Sequence, residues 1–226
     1  MDNIAKKEND KIDHVGYLNS KLSSISNLKY FTNIKNNPHG TFLLGIYNFS
    51  SLIHEHNIHL AIATTKMTTE SQIKEIVNAM HVNICKVDGS HSKQFELFLE
   101  QFEDPNYQKS YYKKYSSVLP VDKLSNDLCQ IILKKDREYI IASLATVEFI
   151  FSFIISTFNK LAANKSEDVI LLDEAQGVEN SYKLLFTLPT LNLDTSSEKS
   201  VTDGITDTFE LFSSFFNEIN HQFYED

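Results

Sequence analysis

The chain has 226 residues, with 21 Lys and Arg against 30 Asp and Glu, a formal net charge of −9. That acidity speaks against a nucleic-acid binder, which needs a basic footprint. Hydrophobic residues at 42% exclude global disorder, while 6 Gly and 4 Pro leave too few tight turns for a many-stranded sandwich or barrel. Long helices are the expectation. Two cysteines, Cys85 and Cys129, form no CxxC pair, so neither a disulfide scaffold nor a structural zinc knuckle is expected.

Residues 1–16 read as a loose tail, and 17–226 as a single helical domain. The tail has no apolar leader core, which predicts a cytoplasmic protein. Leu18, Leu22, Ile25, Leu28, Phe31 and Ile34 recur at three and four, a helical spacing. The Asn36-Asn37-Pro38-His39-Gly40 run breaks that pattern. A second pattern covers 41–65, and Thr68 to Glu70 restart the chain as a cap. The next helix covers 71–86, and Asp88-Gly89-Ser90 interrupts it. A helix over 91–102 follows, ended by Asp104-Pro105. Residues 106–115 are a Lys/Tyr-rich helix or loop. Further helices are expected at 121–133, 137–163 and 168–186, with an interruption at Gly177. A polar connection over 188–200 leads to a last helix over 202–223. The fold expected is all-α, one bundle of about seven or eight helices.

Tyr139 to Phe158 is an apolar run with one charge, Glu148, at its middle. Its length would suffice for a membrane span. A carboxylate at the bilayer centre would cost about 2.5 kcal/mol or more, so a central helix buried all round is expected instead, with no membrane span. Glu148 is then desolvated. Two readings stand for it: a carboxyl hydrogen-bonded within the core, or a ligand or acid/base group, since inward carboxylates build metal sites in bundles.

Other candidates are weaker. His54, Glu55, His56 and His59 look like a metal cluster, but HEHNIH fails the HExxH pattern because position 58 is Ile. Glu55 and His59 share a face at i,i+4, and the group is expected to form a partly exposed polar face. His91 starts a helix above Phe95 and Phe98. On the last helix Lys199, Asp203 and Thr206 share one face, as do Thr202, Thr206 and Glu210. Acidic residues there also suit a helix N-terminus.

The order of these pieces resembles the heme-oxygenase-like helical superfamily, which holds the TenA thiaminases, the PqqC oxidases and the CADD-like non-heme di-iron oxidases. The resemblance runs from about residue 28 to 216. It is carried by the helix pair at 28–65, NICKVDGSHSKQFELFLEQF, ASLATVEFIFSFI and DGITDTFELF. It implies an oxidase with one or two non-heme irons, acting on a hydrophobic substrate in a central pocket. It also implies that His91, Glu148 and Asp203 are ligands. The remaining ligand positions fall on Lys86 (with Asp88 as a substitute), Lys199 and Thr206. The three matched ligands would make a facial triad for one iron. Lys86 and Lys199 would instead neutralise Glu148 and Asp203 as buried pairs, or hold an anionic substrate. TDGITDTFE also comes close to the magnesium motif of terpene synthases, with Thr202, Thr206 and Glu210 at the ligand positions. A magnesium-dependent or metal-independent lyase or cyclase acting on a prenyl diphosphate is therefore the alternative. A non-catalytic ligand-binding or interaction protein is the third reading. Related folds often pair, which leaves a homodimer open.

Overall fold

The computed structural model describes residues 13–36, 41–88, 119–163, 175–188 and 195–224. Among the described residues there are eight α-helices and no strand: α1 His14–Ser26, α2 Lys29–Asn36, α3 Thr41–Thr64, α4 Glu70–Asp88, α5 Leu119–Lys134, α6 Arg137–Ala163, α7 Ala175–Phe186 and α8 Thr195–Tyr224. The chain is an all-α helical bundle, as its periodicity requires. The predicted helix at 91–102, with His91, and the segment 106–115 lie outside the described residues.

Helix starts follow from local chemistry. Asp13 caps α1, its carboxylate accepting from the Gly16 N–H at 2.9 Å. Asp136 caps α6 by accepting from the Tyr139 N–H at 2.9 Å. Its other oxygen accepts from the Ser200 hydroxyl at 2.8 Å, which ties the start of α6 to the first turns of α8. Pro120 sits in the first turn of α5, where no N–H is needed.

Three boundaries differ from the sequence reading. The pattern over 18–34 is two helices, parted at Asn27, the C-cap of α1. Gly177 does not interrupt its helix, and α7 runs through it. The last helix starts at Thr195 rather than 202, so Asp203 lies two turns inside it and Glu198 occupies the first turn. The 188–200 stretch is polar, but polar residues form an exposed first turn as readily as a loop once later turns are packed.

Helix α6 is the axis of the bundle. Every residue from 139 to 152 is buried. It packs against α7 and α8 and touches α3, while α3 lies along α4 and α5. Residues 137–161 are long and apolar enough to cross a membrane, yet 89% of the relevant window is covered by neighbouring helices. Two glycines allow the closest approaches. A Cβ on Gly204 of α8 would lie 2.7 Å from the Tyr139 carbonyl oxygen, and one on Gly177 of α7 would lie 2.8 Å from that of Glu148. At the other end of the bundle, α2 inserts aromatic rings between α6 and α8. Phe31 meets Phe153 and Phe216 at 5.1 and 4.8 Å between ring centres, and Tyr30 stacks on Phe216 at 5.1 Å.

Candidate functional site

Glu148 has no place on α6 to reach water, because α6 has no exposed face at its level. It is 0% exposed. Side chains from three other helices meet its carboxylate. His56 of α3 lies with Nε2 3.1 Å from Oε1. Asn83 of α4 donates from Nδ2 to the same oxygen at 2.7 Å, and Asn180 of α7 donates from Nδ2 to Oε2 at 3.3 Å. Three N–H groups on two oxygens are what an ionised, acceptor-only carboxylate takes. In the tautomer that suits an acceptor-only carboxylate, Nε2 of His56 is the N–H that faces it.

The other nitrogen of that ring, Nδ1, is buried without a hydrogen-bond partner. A proton there would be an unmet donor in an apolar surrounding, so the cheaper state leaves a bare lone pair. The ring lies edge to face with Phe151 at 5.3 Å.

One turn along α3, His59 is held in the same way. Its Nε2 is 3.0 Å from the Ser125 carbonyl oxygen of α5, and its Nδ1 is also buried and unpartnered. Burial first, and then the nearby His56, push the His59 pKa down to about 4, against a small upward pull from the Ser125 carbonyl. His59 is neutral at pH 7, with Nε2–H donating and Nδ1 bare. The Ser125 hydroxyl donates onward to Glu55 at 3.0 Å, so Glu55 and His59 do share a face, bridged through Ser125. The expected polar surface at 54–59 is thus only partly found: His54 is exposed, whereas His56 and His59 are buried. They occupy the apolar stripe of Leu52, Ile53, Leu60 and Ala63, which turns them inward.

The two imidazoles line one small cavity, walled otherwise by Leu128, Ile131, Ile132, Ser143, Leu144 and Val147. It has about 10 Å³ of room for the centre of a water-sized body.

The other sequence candidates fall elsewhere. The backbone of Lys86 lies one turn beyond Asn83 on α4; its side chain, like the whole of His91, lies outside the described residues. Asp203 does not approach Glu148. Gly204 packs on Tyr139, Ala142 and Ser143 of α6, and at about 100° per residue Glu148 points roughly to the opposite side of that helix. Lys199 is 74% exposed and pairs with Asp203 at the surface. The Thr202 hydroxyl donates to the Glu198 carbonyl at 3.0 Å, and the Thr206 hydroxyl bonds the Tyr17 hydroxyl at 2.9 Å. Glu210 is exposed. The Thr202 and Thr206 hydroxyls are thus already engaged.

The iron implied by the resemblance finds no fitting ligand set among the described residues. No three His, Cys, Asp or Glu side chains come together there in a way that could hold a metal ion. Asn83 and Asn180 were missed in the sequence, and His56 was noted there only as one of a partly exposed polar group. The signal for each was a polar residue inside an apolar stripe, as with Asn83 in the series Gln72, Ile76, Ala79, Asn83. Comparison with protein-family models and with curated proteins finds no match.

Proposed function

We propose that the chain is an enzyme acting on a small hydrophobic molecule within the bundle, with His56 as the working group and Glu148 as the group that positions it. The observation that carries this reading is the buried carboxylate–imidazole pair, with His56 Nε2 3.1 Å from Glu148, Nδ1 without a hydrogen-bond partner, and the ring in the wall of a small cavity. A carboxylate behind one ring nitrogen fixes the tautomer and ring orientation. The apolar walls keep bulk water from the ring. Asn83 and Asn180 hold the Glu148 carboxylate in place.

The oxidase reading shares Glu148 with this site, whereas the prenyl-diphosphate reading rests on Thr202, Thr206 and Glu210, which lie elsewhere. The geometry favours neither the Asp203 ligand set nor the Thr202, Thr206 and Glu210 set, so no step is assigned to those residues. The test is consumption of a panel of small hydrophobic compounds, followed by mass spectrometry. Wild-type turnover that disappears in both His56→Gln and Glu148→Gln but survives in Lys199→Ala supports the proposal. Turnover untouched by either core variant overturns it.

A further inference from the structure

We propose that the small cavity walled by His56 and His59 is dry and is a binding site for a neutral diatomic gas molecule. The proposal rests on the reading that a small hydrophobic molecule comes to His56, and it names the class of molecule for which the closed bundle has room.

The lining is the first observation. Five of its eight residues are Leu, Ile or Val, supplied by α5 and α6. Seven of the eight are buried, and the eighth, Ile131, is partly so. The surface they turn toward the cavity is apolar throughout. Each polar group nearby is turned or tied elsewhere. Nε2 of His56 faces the Glu148 carboxylate, and Nε2 of His59 faces the Ser125 carbonyl. The Ser143 hydroxyl donates to the Gly204 carbonyl at 3.3 Å. The two Nδ1 atoms are themselves buried, so the rings present carbon to the cavity.

The room is the second observation. At about 10 Å³ it stands at the lower end of what a single water requires, about 10–15 Å³. A buried water makes about three hydrogen bonds, and this lining offers it none. A charged or polar guest would give up its hydration with nothing in return. A larger hydrophobic guest would have to displace close-packed core side chains. A diatomic gas is about as wide as water, has no hydrogen bond to lose and gains dispersion contact with every wall. Size and lining therefore point to the same class of guest.

The experiment uses the full chain with methyl-labelled Leu, Ile and Val. Dissolved dioxygen under pressure is the probe, because its unpaired electrons speed the relaxation of methyl groups beside it; dinitrogen is the control. The methyls of Leu128, Ile132, Leu144 and Val147 should relax faster under dioxygen than those of Ile140 and Ile154. These two lie equally deep on α6 but outside the cavity. Val147→Ile adds one methylene to the wall and should abolish the excess. Should that variant not fold, the wild-type contrast decides the matter by itself. Equal relaxation of the two methyl groups, an excess that survives the filling of the cavity, or a long-lived water detected beside those methyls would each overturn the proposal. Turnover that needs His56 and Glu148, with no gas in the cavity, defeats the gas site alone. Gas in the cavity, with turnover indifferent to both residues, upholds the site and defeats the enzyme reading.

Discussion

At the scale of single residues, buried charge sets the cost of each change. Asn83 donates to an ionised oxygen at 2.7 Å in a site closed to water. Its truncation leaves the carboxylate short of one donor with no solvent to replace it. Asn83→Ala should therefore lower stability by about 1.5–3 kcal/mol in urea unfolding. Asn180→Ala should cost less, because its contact is longer at 3.3 Å. A double variant that costs the simple sum would show that the two do not act through one carboxylate. Tyr139 supplies a pH-dependent case. Burial, then its hydrogen bond to Asp207 and the charges of Asp207, Asp203 and Asp136, raise its pKa above the ordinary value of 10.0. A raised folded-state pKa contributes stability that is whole below the unfolded value and is lost as pH rises beyond it. The stability gap between wild type and Tyr139→Phe should hold to about pH 10 and narrow above it. A gap constant to higher pH would contradict the assignment.

At the scale of elements, the bundle depends on how closely α6 is approached. Gly204 lets α8 lie against the α6 backbone, and an added methyl would meet a carbonyl oxygen that has nowhere to go. Gly204→Ala should destabilise by about 1–3 kcal/mol despite alanine's better helix propensity. The same change at Gly177 pushes α7 away from Glu148 and Ser152, carrying Asn180 with it. It should weaken the Asn180 contact as well as the packing, and a matched loss in Asn180→Ala and Gly177→Ala would show that link. The Lys199–Asp203 pair, in contrast, lies in water on the outside of α8. Lys199→Ala should leave the midpoint of thermal unfolding unchanged, since exposed ion pairs contribute little. Most of α6 was readable in advance, because an apolar run of that length with no polar face has to be covered on all sides. The start of α8 was not, because polar first turns look like connections until the turns after them are seen to pack.

At the scale of the whole molecule, α6 is the most completely buried helix, packed against α7 and α8. Amide hydrogens of residues 140–152 should exchange with solvent slowest, at the rate set by global unfolding, while the more exposed α1 and α4 open sooner. Exchange in α6 as fast as in α4 would refute the central position of that helix. The helical class, most helix limits and the burial of Glu148 were determined by sequence alone, because they depend on composition and on a period of about 3.6 residues, both local properties. Which side chains meet that carboxylate was decided only by the tertiary structure. His56, Asn83 and Asn180 are 92, 65 and 32 residues away from it along the chain. Asp203, on a motif that looked apt, is turned to the far side of α6. A helix's own periodicity says which face goes inward, but not which neighbour will stand opposite with a donor; that follows from how the helices pack together.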